Sequence, residues 1–150
     1  MKLVTAADVL AHLRAEVFVR IQRSPKHGVG IFAIRDIPAG IDPFQTHRLG
    51  LTFVWCPIDA LREDPTIPTE VERYVMEMCI RKDGMVRLPS CGMNGIMPRY
   101  YMNHGDDPNV CVGASGDFET IRSIAAGEEL TTNYFTYSEE PELPAELQVT

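Results

Sequence analysis

Three short segments of this 150-residue chain carry residue types suited to binding a ligand and acting on it. The first is the glycine-containing stretch Ser24–Ala33, the second is Asn103–Asn109, and the third is Gly127–Tyr134. In the first segment, Gly28 and Gly30 have no side chains, so a ligand can lie against the backbone and meet its amides and carbonyls. The same glycines also suit an ordinary tight turn between two strands. The segment lacks the third glycine and the following helix of a dinucleotide-binding fingerprint.

The other two segments hold polar groups that ordinary turns and strands also use. A buried Asn103 beside His104 can satisfy backbone groups in a turn, and Asp107-Pro108-Asn109 is typical of turns in many folds. Tyr134 can be a half-buried strand tyrosine, which is the commoner fate of that residue in such a setting. Each segment alone is therefore ambiguous, and their occurrence together, in this order, carries more weight.

Together the three segments resemble the SET domain, the fold of most protein-lysine methyltransferases, over approximately residues 18–137. Residues 124–134 agree with the SET signature at nearly every position, with Asn133 where the family usually has Asp. Two further departures are Gly105, where Ser is common, and Asp106, where many members have a zinc-binding Cys. The chain thus resembles a minimal SET domain without zinc modules, and no metal is expected.

The resemblance implies S-adenosyl-L-methionine as the cofactor and a lysine side chain of a protein as the methyl acceptor. The implied cofactor-binding residues are Lys26, His27, Gly28, Val29, Gly30, Tyr101, Asn103 and His104. Tyr134 is implied as the catalytic residue that orients the lysine nitrogen. Phe135 and Tyr137 are candidates for lining the substrate channel, or are ordinary core aromatics, given their strand-like spacing.

Two hypotheses from other classes stand beside the enzyme. The first is a non-catalytic β-clip or SET-like binding module, since Arg35–Gly40 resembles a turn that such binding domains share. The second is a SET-like fold that serves only as an oligomeric scaffold. The presence of Asn103, His104 and Tyr134 favours the enzyme, because a pure binding domain does not need them.

Composition indicates an ordinary globular chain, with 45% apolar and 23% charged residues. No apolar run approaches the roughly 20 residues of a membrane span, and the amino terminus lacks the features of a signal peptide, so an intracellular setting is expected. The net charge of −7 disfavours direct nucleic-acid binding and favours a basic partner, such as a lysine-rich peptide. Four cysteines without a C-x-x-C pair are expected to be free thiols.

The pattern of apolar residues predicts a β-rich α+β fold of many short strands, without an internal repeat. A short helix is predicted from Ala6 to Arg14 with Thr5 as its N-cap, and a main helix near residues 70–81 with a Thr69–Glu72 capping box. Strands are predicted at residues 17–22, 31–34, 51–55, 85–88, 110–112 and 118–121. The stretch from Arg62 to Pro68 is predicted to be a surface loop.

The predicted organisation is a helical lead-in at residues 1–17, a SET domain at 18–137 and an acidic, mobile tail at 138–150. The resemblance also implies a pseudoknot, in which the carboxy-terminal strand passes through an earlier loop, against the usual rule of unthreaded chains. Because zinc modules are absent, either the tail or a second subunit of a homo-oligomer, such as a dimer, is expected to cover the lysine channel.

Overall fold

The structure is a computed structural model that describes residues 5–50 and 52–139. These residues form three α-helices and nine β-strands, which confirms the predicted β-rich α+β class. The helices are α1 (Ala6–Ala15), α2 (Ile58–Glu63) and α3 (Thr69–Met78). The strands are β1 (Val19–Arg23), β2 (Val29–Ala33), β3 (Phe53–Pro57), β4 (Arg81–Lys82), β5 (Met85–Pro89), β6 (Asn103–His104), β7 (Val110–Val112), β8 (Phe118–Thr120) and β9 (Glu129–Thr132).

Among the described residues there are two compact units, one from residues 5–50 and 101–133 and the other from 52–100 and 134–139. The first unit is built on a six-stranded sheet in the order β1-β2-β9-β7-β8, with β6 also paired to β9. β9 comes last in sequence but lies in the middle, antiparallel to β2 and parallel to β6 and β7. Segments that are far apart in the chain, near residues 30, 104 and 130, therefore become neighbours.

The core of the first unit is aliphatic. Its buried members are Ile31, Ala33, Ile37, Met102, Val110, Ile124 and Leu130. Ile37 and Ile124 form an antiparallel bridge in which each backbone N–H donates to the other's carbonyl, at 2.8 and 2.9 Å. They occupy the same place in Arg35–Gly40 and Arg122–Gly127, which share the pattern Arg-x-Ile-x-Ala-Gly. The same short pattern thus supplies both sides of this bridge in the core of the first unit.

α1 begins where the sequence predicts. Thr5 Oγ1 accepts from the amide of Asp8 at 3.1 Å, and the Asp8 carboxylate accepts from the amide of Thr5 at 3.0 Å, which is a complete capping box. At the other end of the helix, the guanidinium of Arg35 donates to the carbonyls of Leu13 and Arg14. These contacts satisfy backbone groups that a helix leaves unpaired at its two ends.

The second unit contains α2, α3 and a three-stranded sheet in the order β3-β5-β4. Its buried apolar residues are Leu61, Val75, Met76, Cys79 and Val86. Asp83 and Gly84 join β4 to β5 with φ angles of +53° and +71°, as a two-residue hairpin turn requires. The guanidinium carbons of Arg87 and Arg99 lie 4.3 and 5.0 Å from the ring centre of Phe53, within the range of a cation–π interaction.

The predicted strands appear as β1, β2, β3, β5, β7 and β8, within two residues of the expected ends, although Leu51 lies outside the described residues. The loop predicted from Arg62 to Pro68 is partly wrong, because α2 extends through Glu63. Pro57 precedes α2 with a φ of −58°, a value that already suits the start of a helix.

The predicted main helix is α3, but both of its ends differ from the prediction. Thr69 is the first helical residue, Pro68 is the N-cap, and no side chain bonds to the cap, so the Thr69–Glu72 capping box does not form. The helix ends at Met78 rather than near residue 81, because residues 81–82 pair with β5 as β4. Strand pairing therefore competes successfully with helix propagation at this point.

Candidate functional site

The loop between β1 and β2 folds around the hydroxyl group of Ser24. The backbone N–H of Ser24 donates to the carbonyl of Gly28 at 2.9 Å. Ser24 Oγ accepts from the amides of Lys26 and His27, at 3.0 and 3.4 Å. Gly28 has a φ of +44°, which favours glycine, and no atom lies within 4 Å of the position that its Cβ would take. The loop is thus a hydrogen-bonded turn, and Lys26, Gly28 and Val29 are exposed on it.

Asn103, in β6, joins the second sequence segment to this loop. Its side chain is buried, with 6% of the residue exposed. Asn103 Nδ2 donates to the carbonyls of His27 and Val29, at 3.2 and 3.1 Å. The parallel pairing of β6 with β9 places Asn103 opposite Thr131. The structure therefore brings the glycine turn and Asn103 together through a side chain that holds the loop backbone.

Glu129, the first residue of β9, belongs to the same group of contacts, and the sequence analysis missed it. Glu129 Oε1 accepts from Ser24 Oγ at 2.8 Å and from Asn103 Nδ2 at 2.8 Å. A Cβ atom on Gly30 would fall far inside van der Waals contact with Glu129 Oε1 and 3.0 Å from Asn103 Nδ2. Gly30 therefore allows the carboxylate and the amide to approach the backbone of β2. The available signal was an acidic residue beside a β-prone stretch, which many surface strands also show.

His104 lies next to Asn103 in β6 but makes a different contact. Its Nε2 is 3.1 Å from Asp106 Oδ1, and the ring is nearly buried while the carboxylate is exposed. A Cβ atom on Gly105 would come within 2.7 Å of Thr131 Oγ1. The glycine that stands where the family commonly has Ser therefore leaves room for Thr131 in this chain.

Tyr101 and Asn109 anchor the second segment to the rest of the first unit. Tyr101 is partly buried and packs against the aliphatic core. Asn109 is buried, and its Nδ2 donates to the carbonyl of Glu129 at 2.9 Å while its Oδ1 accepts from the amide of Thr131 at 2.9 Å. The Asn109 side chain thus pairs with β9 as a neighbouring strand would. The cofactor roles of Tyr101 and His104 stay predictions.

Tyr134, Phe135 and Tyr137 lie in the second unit. Residues Tyr134–Thr136 form a 3-10 turn, so the strand-like spacing of these aromatics does not reflect a strand. The rings of Tyr134 and Tyr137 meet edge to face, with centres 6.4 Å apart. Phe135 is 60% exposed, so the interpretation as a core aromatic is wrong for this residue. Their catalytic and channel roles stay predictions.

The segment that follows Tyr137 is bonded to the β4 hairpin of the second unit. Ser138 Oγ accepts from the amide of Arg81 at 3.2 Å, and the amide of Glu139 donates to the carbonyl of Arg81 at 2.8 Å. Glu139 Oε2 accepts from the amide of Asp83 at 2.8 Å. The first two residues of the predicted tail therefore have defined partners, and its remaining residues, 140–150, lie outside the described part of the chain.

The last strand, β9, lies in the middle of the sheet, beside the glycine turn and the Asn103–His104 pair. This arrangement is the one expected of a SET-type domain. The chain belongs to the SET-domain family, because the family model described as SET domain matches residues 28–135. This match confirms the resemblance seen in the sequence and supports assignment to the methyltransferase class.

The chain is similar to a Plasmodium falciparum protein classed as a histone methyltransferase, with 16% identity and a TM-score of 0.47, over 78% of this chain and 92% of that one. It is also similar to a humanized mutant of the Polycomb Repressive Complex 2 of Chaetomium thermophilum bound to an inhibitor, with 21% identity and a TM-score of 0.49. That similarity spans 89% of this chain and 17% of the other. The comparison with curated proteins found no match.

Between residues 5 and 139, Leu51 excepted, no helix combines the length and apolar character needed to cross a membrane. In that same part of the chain, no group of three or more His, Cys, Asp or Glu side chains is placed to hold a metal ion.

Proposed function

We propose that this chain is a protein-lysine N-methyltransferase that transfers a methyl group from S-adenosyl-L-methionine to a lysine side chain of a protein. The observation that carries the proposal is the bonding of Asn103 Nδ2 to the carbonyls of His27 and Val29. In a SET-family chain, this contact unites the glycine turn and the Asn-His pair in one place. The residues that make this contact lie more than 70 positions apart in the sequence.

The residues at this place fit the amino-acid end of S-adenosylmethionine, which carries an ammonium and a carboxylate group. Glu129 Oε2 is buried and has no hydrogen-bond partner among the described residues. A buried carboxylate oxygen without a donor is unfavourable, so the site suits a cationic donor. Gly28 leaves open space at its Cβ position, as a ligand lying against the backbone requires, whereas the space beside Gly30 is taken by the Glu129 carboxylate. When bound, S-adenosylmethionine supplies a methyl group activated by attachment to a positively charged sulfur.

We assign the cofactor-binding roles to eight residues and the catalytic role to one. The cofactor-binding residues are Lys26, His27, Gly28, Val29, Gly30, Tyr101, Asn103 and His104. Tyr134 is assigned to orient the lysine nitrogen, since a phenol hydroxyl can both donate and accept a hydrogen bond. Holding a reacting nitrogen in a productive orientation removes much of the entropic barrier.

Phe135 and Tyr137 are assigned to the substrate channel. The ring of Phe135 is 60% exposed, so part of its surface can contact a bound chain, and the ring of Tyr137 packs edge to face on Tyr134. Aromatic walls of this kind exclude water from a reacting amine. Because the chain has a net charge of −7, we infer a basic, lysine-containing protein or peptide as the substrate, rather than nucleic acid.

Calorimetric titration with S-adenosylmethionine, followed by transfer of a labelled methyl group to lysine-rich peptides, tests the proposal. We expect the Tyr134→Phe variant to bind the cofactor like the wild type and to transfer methyl groups about 100-fold more slowly. Tyr74→Phe is the matched control, because it removes the same hydroxyl from an exposed tyrosine of α3, and it should keep the wild-type rate.

Two results would contradict the proposal. If the wild-type chain does not bind millimolar S-adenosylmethionine, it is not this enzyme, and the binding or scaffold hypothesis is favoured. If Tyr134→Phe transfers methyl groups at the wild-type rate, Tyr134 does not have the role assigned to it.

A further inference from the structure

The carboxylate of Glu129 links two parts of the proposed cofactor site that lie more than 70 residues apart in sequence. Glu129 Oε1 accepts from Ser24 Oγ, 105 residues away, and from Asn103 Nδ2, 26 residues away, both at 2.8 Å. Neither the sequence analysis nor the family resemblance gave Glu129 a role. Its neighbour Glu128, by contrast, bonds to the amide of Ala125 at 3.0 Å and to Arg122 at 3.1 Å on the surface.

The direction of the hydrogen bonds shows how Glu129 acts on the loop. Ser24 Oγ has one proton and two lone pairs. Its proton is directed to Glu129 Oε1, because a carboxylate can only accept. The lone pairs then face the amides of Lys26 and His27, which donate to Ser24 Oγ. The charge of Glu129 therefore sets the orientation of the Ser24 hydroxyl, and this hydroxyl in turn fixes the loop amides.

The same carboxylate also orients Asn103. Asn103 Nδ2 has two protons and three acceptors, Glu129 Oε1 and the carbonyls of His27 and Val29, so two of these acceptors share one proton. Because Oε1 and both carbonyls can only accept, Glu129 reinforces the orientation in which the Nδ2 end of Asn103 faces the loop. Both sides of the glycine turn thus depend on one oxygen atom, and the absence of a Cβ on Gly30 allows that atom its position.

We propose that Glu129 is a positioning residue of the S-adenosylmethionine site: through Ser24 and Asn103 it holds the loop at residues 24–30 in the form that binds the cofactor. This inference rests on the proposed function.

The test compares Glu129→Gln with the matched control Glu128→Gln in calorimetric titration, methyl transfer and hydrogen exchange. Glutamine keeps the shape of the side chain but removes its charge, and a hydrogen bond to a charged group is worth enough to predict a rise of about tenfold or more in the cofactor Kd. We expect kcat at saturating cofactor to stay within about threefold of the wild type, since no reacting atom is touched. The backbone amides of Lys26 and His27 should exchange hydrogen faster in Glu129→Gln than in the wild type. In Glu128→Gln their exchange rates should equal those of the wild type.

The Ser24→Ala variant provides a second route if Glu129→Gln does not fold. It removes the hydroxyl that connects the carboxylate to the loop, so it should raise the cofactor Kd by a similar factor. The double variant Ser24→Ala/Glu129→Gln should raise the cofactor Kd by less than the product of the two single-variant factors, because both changes weaken the same connection between the carboxylate and the loop.

Each outcome separates this inference from the proposed function. A wild-type chain that binds no cofactor overturns both. A wild-type chain that binds, together with a Glu129→Gln variant of equal affinity, overturns this inference alone. A variant that melts at a lower temperature but binds the cofactor with wild-type affinity shows a merely structural role and also overturns it. If the double variant raises the cofactor Kd by the full product of the two single-variant factors, Glu129 does not act through Ser24.

Discussion

Gly30→Ala should destabilise the first unit even though the backbone at Gly30 is not among the positions with positive φ. The added methyl group would lie 3.0 Å from Asn103 Nδ2, 3.1 Å from Glu129 Cδ, and closer still to Glu129 Oε1. The carboxylate would therefore have to move away from Ser24 and Asn103, which it contacts at 2.8 Å. The loss of stability in Gly30→Ala therefore comes from displaced side-chain contacts and not from backbone strain.

The expected change in the free energy of unfolding follows from the hydrogen bonds that the methyl group displaces. A hydrogen bond to a charged group contributes about 1.5–3 kcal/mol, and two such bonds are at risk. Because Glu129 is only half-buried and can regain water, we expect the free energy of unfolding to fall by about 3 kcal/mol rather than by the full sum. Gly28→Ala is the matched control: Gly28 has a φ of +44° and open space at its Cβ position, so backbone strain alone should cost about 1 kcal/mol.

Urea unfolding followed by circular dichroism measures these changes, and a double variant tests their cause. In Gly30→Ala/Glu129→Ala the shortened side chain leaves room for the methyl group. Adding Gly30→Ala to Glu129→Ala should therefore cost less than about 1 kcal/mol. The packing argument is wrong if Gly30→Ala is no more destabilising than Gly28→Ala, or if its cost is the same with and without the Glu129 carboxylate.

Two further predictions concern buried side chains. Asn109→Ala leaves two backbone groups of β9 without their partners and should lower the free energy of unfolding by about 2–4 kcal/mol in urea, whereas the exposed Asn94→Ala should be neutral. Burial raises the pKa of the Cys79 thiol to about 11, so iodoacetamide at pH 8 should alkylate the exposed Cys91 first and Cys79 only after unfolding. Peptide mass spectrometry would show this order, and equal rates at the two cysteines would contradict the burial of Cys79.

The local features of the fold could be predicted from the sequence because neighbouring residues determine them. Thr5 and Asp8 alone specify the start of α1, and Asp83-Gly84 alone specifies the turn between β4 and β5. α3 shows the limit of such patterns. Thr69 and Glu72 have the spacing of a capping box, but Pro68 takes the N-cap position and the box does not form.

The site could be predicted only in part. The residues within each motif are close in sequence, whereas the hydrogen bonds that hold the motifs together join residues far apart in the chain. Asn103 could be identified from its motif, whereas Glu129 gains its role from a hydroxyl 105 residues away. No periodicity or composition encodes such a pairing, because it depends on β9 lying between β2 and β7. The alternating spacing of the aromatics at residues 134–137 is typical of a strand, but spacing alone does not distinguish a strand from the 3-10 turn that residues 134–136 form.

The central place of β9 has a consequence for how the protein is made. On the ribosome, β1 and β2 are synthesised about 100 residues before β9, the strand that joins them to β6 and β7. Until synthesis passes Thr132, the nascent chain holds a hairpin whose inner edge has no partner, and such an edge can pair with other chains. Closing contacts over this distance is slow, so chaperones that shield strand edges should improve the yield of folded protein.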